Sequence, residues 1–548
     1  MSEQFGIAAG GSGVRVAEAL IHLCAAGLGP DSIHLLVVDV DNTNGNLTRL
    51  RSTVDLYSHC SQWKWGKESN GRRPFLTKFS VHYLTADLPI SSAGIEDVNF
   101  TPDEYKDVLN ILYDESEQST DAERGFKARP NIGSLLMAGY LADAFSDTDS
   151  GAKGFGEALL NELSNDGDEK GPSLVVVGSV FGGTGASIIP VVMESLRDSL
   201  TARPGGNQAA LRKRFDKLRS SVVMMLPYFQ PQLPPADQNL EETVDPGRFL
   251  TDTQNALSHY ERSGAYKGYS TIYLVGAENP GREKPKFCTG SDGQANAPMI
   301  EEMIAALAVI DAVAESRPSE TTVKAFRPTN LDKLKLNNLP WKNGGSDMDG
   351  FVNLLHMAAF AIKSHDKALG KGVIAFLDAH ANNRDELELW PWYAHFQNQS
   401  GSLAIKASEN GADRMGKYFY RLLEWSRWIF DSSQNLNMLE LQADANCFHY
   451  WEAATLTCGE DHIPTPTQDG IPVHVSLLLS AASGIPNFQP NGKKTSGKNI
   501  LSKNPEKWLL EGRGPHKVIL PFAREEFEVS RKMLGLSETK EYHKTKPE

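Results

Sequence analysis

The chain has little cysteine, no excess of basic residues and no long apolar run, and each shortage excludes a class of protein. Five scattered cysteines in 548 residues do not form the disulfide framework of a small secreted domain. A net charge of −14 and a pI near 5.5 argue against nucleic-acid binding, which needs a basic surface. No stretch approaches the roughly 20 consecutive apolar residues of a membrane span, and the amino terminus lacks a secretory signal. We therefore expect a cytoplasmic globular protein without a membrane span.

The sequence also lacks the lysine of a P-loop, because no stretch places two glycines at the required spacing before Lys and Ser or Thr. Instead, an apolar run at residues 175–181 leads directly into Gly182, Gly183, Thr184 and Gly185, and a helical pattern follows. Glycines let successive backbone N–H groups approach phosphate oxygens, and the start of a helix favours an anion. The order therefore predicts a phosphate-binding loop, to which Thr184 and Ser187 add hydroxyl groups. The alternative is a glycine turn that only packs the strand against its helix.

A second loop of the same kind lies near the amino terminus. Gly10, Gly11, Ser12 and Gly13 follow a short apolar strand and precede residues with helical spacing. The next apolar strand, residues 34–38, ends in Asp39. Strand, glycine loop, helix, strand and acid is the order of a dinucleotide-binding Rossmann fold. That interpretation stays open, but Val16 replaces its third glycine, and the fold does not explain a second glycine loop.

The order and separation of the two loops resemble the tubulin and FtsZ superfamily, including its prokaryotic tubulin-like members. In that family a Gly-Gly-Thr-Gly-Ser/Thr-Gly signature holds the phosphates of GTP, and this chain has Gly182-Gly183-Thr184-Gly185-Ala186-Ser187. The last two positions depart from the signature. The resemblance implies an amino-terminal α/β GTPase domain with a parallel sheet and a long core helix, followed by a smaller α/β domain. It also implies bound GTP or GDP with Mg²⁺.

The resemblance assigns three further residues to the nucleotide. Arg129 lies in a segment similar to the family's Asn-Pro-Glu-Ile-Gly loop near the outermost phosphate, although it could equally be a surface arginine. Asn255 is in a predicted helix, residues 249–260, that resembles the tubulin helix whose Asn contacts guanine. Asn296 begins the predicted core helix, about residues 296–315, where the family presents a second Asn to the base. Asn296 could instead cap that helix, a common role for Asn.

In the family, an acidic loop of the neighbouring subunit completes GTP hydrolysis. The resemblance gives this role to Asp347 and Asp349, which open a predicted helix, and it implies head-to-tail assembly into filaments. Acidic residues also favour the first turn of any helix, because they complement its dipole. The hydrolysis of GTP to GDP and phosphate is therefore a hypothesis that depends on assembly.

The chain is long enough for two or more domains. We expect a nucleotide-binding domain at residues 1–315, a second α/β domain at 316–521 and a helical or mobile tail at 522–548. The second half is rich in aromatic residues, which predict a core or a surface for protein partners. Two Cys and two His could supply four zinc ligands, but their spacing fits no common zinc module, so we assign no metal ligand. These four are Cys447, His449, Cys458 and His462.

Three functions are consistent with these patterns. The first is a tubulin-like GTPase that assembles head to tail, with itself as its main partner. The second is a nucleotide-gated scaffold that does not hydrolyse GTP and recruits protein partners through its second half. The third is a Rossmann-type oxidoreductase with bound NAD(P) or FAD, for which the sequence offers no convincing catalytic His, Lys or Tyr near the loops.

Overall fold

The computed structural model describes the chain in segments. These are residues 3–62, 74–84, 111, 130–146, 151–164, 171–201, 208–216, 218–232, 246–277, 280, 285, 294–326, 336–348, 350, 351, 354, 355, 358, 411–433, 457–458 and 464–465. Contacts divide the chain into two compact units. The first contains Met1–Ile21, Gly29–Arg51 and Thr77–Leu334, and the second contains His22–Leu28, Ser52–Leu76 and Lys335–Glu548.

The first unit is built on a seven-stranded parallel sheet. Its strands are β1 (Gln4–Ala9), β2 (Ser32–Val38), β3 (Lys78–Leu84), β4 (Ser173–Ser179), β5 (Arg219–Met225), β6 (Thr271–Val275) and β7 (Thr322–Phe326). Their order across the sheet is β3-β2-β1-β4-β5-β6-β7, and every neighbouring pair is parallel. This is the order of a doubly wound Rossmann-type sheet, so the predicted α/β class with a parallel sheet is confirmed.

The burial of each strand accounts for how apolar its sequence is. Every residue of β1, β4 and β5 is buried, as expected for central parallel strands that are covered on both faces. The edge strands β3 and β7 are partly exposed. Strand β7 belongs to this sheet because its backbone pairs with β6. It lies beyond residue 315, where we expected the first domain to end.

Helices connect the strands. They are α1 (Gly10–Ala25), α2 (Gly45–Ser61), α3 (Pro130–Ser146), α4 (Gly151–Ser164), α5 (Thr184–Ile188), α6 (Val192–Thr201), α7 (Gln208–Phe215), α8 (Phe249–Ser263) and α9 (Ile300–Ala314). Short 3-10 turns occupy Pro246–Arg248, Ala265–Gly268 and Leu336–Asn338. The helix predicted after the Gly182 loop is two helices, α5 and α6, separated at Pro190, which cannot donate an N–H within a helix.

Helix α9 is the predicted core helix, with 13 of its 15 residues buried. It begins at Ile300 rather than near residue 296, because Met299 is the cap residue. The Glu302 carboxylate accepts the backbone N–H of Met299 at 2.9 Å. Asn296 therefore does not cap the helix.

The second unit contains helix α10 (Gly411–Ser433) and two short antiparallel strands, β8 (Thr457–Cys458) and β9 (Pro464–Thr465). Of the aromatic residues in the second half of the sequence, Trp425 is fully buried and contacts the rings of His22 and Phe351. Trp425 thus belongs to the core of this unit. Trp428 is half-buried on the same helix, and five other aromatic residues that could serve a partner surface lie outside the described residues: Trp390, Trp392, Tyr393, Tyr450 and Trp451. The tail at 522–548 also lies outside them.

Candidate functional site

The two glycine loops meet at the point where the strand order reverses. Strand β1 lies between β2 and β4, and both loops begin at the carboxyl ends of β1 and β4. A Cβ added to Gly10 would lie 3.1 Å from Cβ of Thr184 and 3.2 Å from the backbone N of Gly185. In open parallel sheets, ligands bind in the crevice at this position. The site therefore lies between residues that are more than 170 positions apart in the sequence.

The first loop turns directly into helix α1. Gly10 has a φ of +68°, a conformation that favours glycine and starts the sharp turn from β1 into the helix. A Cβ on Gly13 would lie 2.8 Å from the Val177 carbonyl oxygen, so this glycine allows close packing of helix on strand. The nearest atom to a Cβ on Gly11 would be 3.7 Å away. Gly11 is thus the glycine of this loop at which an added Cβ would make ordinary contacts without a clash.

The second loop is packed mainly through its backbone. A Cβ on Gly185 would lie 2.7 Å from both the N and O atoms of Ser179, so only glycine fits there. Ser187 is fully buried and donates its hydroxyl to the Gly183 carbonyl at 2.7 Å. The Ser187 hydroxyl therefore closes the loop, whereas Gly182 and Gly183 remain partly exposed. Thr184 and Ala186 are buried in α5.

Two tyrosine hydroxyls fix helix α5 from outside the loop. Tyr260 on α8 donates to the Ala186 carbonyl at 2.7 Å, and Tyr269 donates to the Ile189 carbonyl at 2.8 Å. Phe181, which precedes the glycines, packs against Phe249 with ring centroids 4.9 Å apart. The second loop is thus held by aromatic side chains.

A buried charged network holds the first loop. Arg15 on α1 pairs with Glu302 on α9, and both residues are at most 2 % exposed. Tyr228, after β5, accepts from Arg15 at 2.7 Å and donates its one hydroxyl hydrogen to Glu302 at 2.7 Å. The Ser12 hydroxyl lies 3.1 Å from the Tyr228 oxygen and donates to it. Burial lowers the pKa of Arg15, but Glu302 and Tyr228 outweigh it and raise this pKa above its usual value. Arg15 therefore stays charged.

Acidic and amide side chains lie beyond β2 at the same edge. Asp39 Oδ1 accepts the backbone N–H of Asp41 at 3.3 Å, and Asn44 Nδ2 lies 3.4 Å from Asp39 Oδ2. Burial raises the pKa of Asp39 to about 7, and the neighbouring Asp41 carboxylate adds to the rise, while the N–H groups of Asp41 and Val40 lower it. Asp39 therefore changes charge near neutral pH.

The segment before the core helix reaches this cluster. Asn44 Nδ2 also donates to Gln294 Oε1 at 3.1 Å, and the Asn296 carbonyl accepts from Arg49 at 2.8 Å. Arg49 in turn pairs with the buried Glu18. The backbone of Asn296 thus lies near the β2 end of the site, where its carbonyl makes this contact. Asn44 and Gln294 could not be predicted from the sequence, because their contact joins two segments 250 residues apart.

The remaining predicted residues are placed as follows. Asn255 is exposed on α8, whose buried face includes Thr253 and Ala256. Asp347 lies in a helical turn, is 4 % exposed, and accepts the N–H of Asn343 at 2.9 Å and its side-chain amide at 3.0 Å. Arg129 and Asp349 lie outside the described residues.

The described residues contain no group of three or more His, Cys, Asp or Glu that could hold a metal ion. Of the four residues considered for zinc, Cys447, His449 and His462 lie outside the described part of the chain. Asp39 and Asp41 fit a different kind of site, because Mg²⁺ is usually held by one or two carboxylates together with substrate phosphates. Within the described residues, no helix is long and apolar enough to cross a membrane.

A groove of about 640 Å³ opens at the opposite edge of the sheet. It is lined by Ser220 and Ser270 at the amino ends of β5 and β6, and by side chains of both charges, such as Arg197 and Glu320. No residue of either glycine loop lines this groove, and its mixed charges select no ligand class.

The fold and the site together define an α/β protein with two glycine loops at the crossover of a parallel sheet. No protein-family model matches the chain, and no curated protein matches it significantly. The assignment of function therefore depends on the geometry of the site.

Proposed function

We propose that this protein binds a guanine nucleotide between its two glycine loops, in the manner of tubulin and FtsZ, and assembles head to tail. The observation that carries the proposal is the close approach of Gly10 to Thr184 and Gly185 at the crossover of β1 and β4, where a Cβ on Gly10 would lie 3.1–3.2 Å from both residues. Two glycine loops facing one crevice offer many backbone N–H groups to one polyphosphate, which suits a nucleoside triphosphate.

Each part of the site then has a role in binding. The N–H groups of Gly10–Gly13 and of Gly182–Thr184 bind the phosphates, and the starts of α1 and α5 add their positive dipole ends. Mg²⁺ that arrives with the nucleotide would neutralise phosphate charge, and Asp39 and Asp41 are the carboxylates that would hold it. Asn255 and Asn296 remain our predictions for the base.

Hydrolysis is a separate step of the proposal. In the assembled polymer, Asp347 and Asp349 of one subunit would complete the site of the next. The carboxylate of Asp347 already accepts two hydrogen bonds from Asn343 and is buried. This observation favours our second candidate, a nucleotide-gated scaffold that binds GTP without hydrolysing it.

The Rossmann-type oxidoreductase has the same strand order and the same acid after β2, and the fold alone does not separate it from the first two candidates. The second glycine loop at Gly182 distinguishes them, since a dinucleotide site needs only the first. A nicotinamide or flavin in the purified protein, detected by its absorbance, would support the oxidoreductase.

Titration calorimetry with GTP, GDP, ATP and NADH tests nucleotide binding. We expect GTP and GDP to bind and the variants Gly182→Val and Gly183→Val to lose binding. Gly345→Ala is the matched control, because an added Cβ there has no atom within 4 Å. If the wild type binds no guanine nucleotide, or if both loop variants bind it normally, the proposal is wrong.

Negative-stain microscopy with GTP, GDP and a non-hydrolysable analogue, alongside phosphate release, separates the two tubulin-like candidates. Filaments with phosphate release that Asp347→Ala abolishes would support the GTPase. Nucleotide binding without phosphate release would select the scaffold.

A further inference from the structure

Asn46 is a buried amide without a hydrogen-bond partner among the described residues. It is 1 % exposed, and both its Nδ2 and Oδ1 atoms are unpaired, so exchanging the two atoms would not change this. A buried polar group with no partner destabilises a protein, typically by about 1–3 kcal/mol. An apolar side chain would suit a purely structural position better, which indicates that the partner of Asn46 is a bound molecule.

Asn46 lies beside the first glycine loop. It is the second residue of α2, and its Nδ2 lies 3.9 Å from the point where a Cβ of Gly11 would be. Asn44 Nδ2 and Arg15 Nη1 lie 3.7 and 3.9 Å from the same point. Three nitrogen atoms that carry N–H groups thus lie together beside Gly11, next to the positive end of the α2 dipole.

Helix capping does not account for Asn46. Asn44 caps α2, since its Oδ1 accepts the backbone N–H of Asn46 at 2.9 Å. The side chain of Asn44 is also bonded to Asp39 and Gln294. The cap therefore involves only the backbone N–H of Asn46, and it does not explain why an amide side chain is buried there.

We propose that Asn46 is a ligand-binding residue that donates its amide N–H to a phosphate oxygen of the nucleotide lying against Gly11. A phosphate fits because the Asn46 amide and the Nη1 atom of the charged Arg15 are donors beside Gly11, and phosphate is a multiple acceptor. The Asn44 amide is already used by Asp39 and Gln294. The proposal rests on the proposed nucleotide site, and it adds the start of α2 as a third binding element beside the two loops.

The test compares Asn46→Ala and Asn46→Val with wild type in calorimetry and thermal unfolding. The ligands are GTP, ATP, guanosine and inorganic tripolyphosphate. Ser52→Ala is the matched control, because Ser52 lies on the same helix and its Oγ is also buried without a partner in the described structure. We expect both Asn46 variants to bind GTP and tripolyphosphate about 10- to 100-fold more weakly. Their unfolding temperature without ligand should be unchanged or higher, and Ser52→Ala should bind as wild type does.

The outcomes separate the two proposals. In one outcome, wild type binds tripolyphosphate and ATP as tightly as GTP, and the Asn46 variants bind all three more weakly. That outcome would overturn the guanine assignment and keep the role of Asn46. Variants that bind GTP as tightly as wild type, or that lose stability without ligand as much as binding, would overturn the role of Asn46 and leave the nucleotide site intact. Wild type that binds none of the phosphate compounds would overturn both.

Discussion

The two glycine loops end neighbouring strands and face one crevice, yet different interactions hold them. The first loop rests on the buried network of Arg15, Glu302, Tyr228 and Ser12. The second is held by tyrosine hydroxyls that donate to carbonyls of α5 and the residue after it. The first loop is thus connected to the core helix α9 through an ion pair. The second loop is connected through neutral hydrogen bonds to α8 and to Tyr269, which follows the 3-10 turn before β6.

This difference has an energetic consequence. Removing one partner of a buried ion pair leaves a buried charge uncompensated, whereas removing a neutral hydroxyl costs one ordinary hydrogen bond. We therefore expect the first loop to be more sensitive to substitution of its anchor than the second. The first loop should also respond to any shift of α9, since Glu302 both binds Arg15 and caps that helix.

The largest effect is expected from Arg15→Met. It leaves Glu302 buried without its counter-charge, which should lower the free energy of unfolding by about 3–5 kcal/mol. Urea denaturation measures the change. The double variant Arg15→Met/Glu302→Met should recover part of the loss, and a double variant less stable than the single would contradict our view of the pair. Arg197→Ala is the control, because its partner Glu194 is 75 % exposed and the pair contributes under about 1 kcal/mol.

The second largest effect on stability is expected at Asp39, and it depends on pH. Its folded pKa of about 7 lies above the ordinary value of 3.8, so the folded chain binds this proton more tightly than the unfolded chain does. The stabilisation is full below about pH 4 and is lost as the pH rises towards 7. Over this pH range, the free energy of unfolding of wild type should fall by up to about 4 kcal/mol relative to that of Asp39→Asn. Thermal unfolding of both proteins at several pH values measures the difference, and parallel curves would show that Asp39 titrates normally.

The glycines of the first loop sharpen the distinction between packing and binding. Gly13→Ala should lower stability by about 1–3 kcal/mol, because the new Cβ would lie 2.8 Å from a backbone oxygen. Gly11→Ala should leave stability unchanged or raise it by up to about 1 kcal/mol, since alanine favours a helix. Its methyl group would occupy the space beside the N–H donors, so nucleotide binding should weaken. Equal effects of the two substitutions on stability would remove this distinction.

Sequence patterns predicted the two loops and the strands that lead into them, because these depend on local order. They did not predict the edge strands β3 and β7. The apolar runs at 34–38 and 175–179 are strands, and both glycine segments follow strands as expected. The anchor of the first loop could not be predicted, since Arg15 and Glu302 are 287 positions apart and each resembles an ordinary helix residue. Asn46 was missed for another reason. An Asn at the start of a helix is normally interpreted as a cap, and only the bond from its backbone to Asn44 shows that its side chain is not used in that way.

The smallest effect is expected at the anchor of the second loop. Tyr260→Phe removes the hydroxyl that donates to Ala186 and should lower stability by about 1 kcal/mol, as for one neutral hydrogen bond. Tyr266→Phe is the control, because its hydroxyl contacts the Leu257 carbonyl at 3.4 Å and is only partly buried. If α5 is positioned by this bond, Tyr260→Phe should also weaken nucleotide binding slightly, which calorimetry would detect, and Tyr266→Phe should not. A loss at Tyr260 as large as that at Arg15 would mean that both loops depend equally on their anchors, and the contrast between charged and neutral anchoring would be wrong.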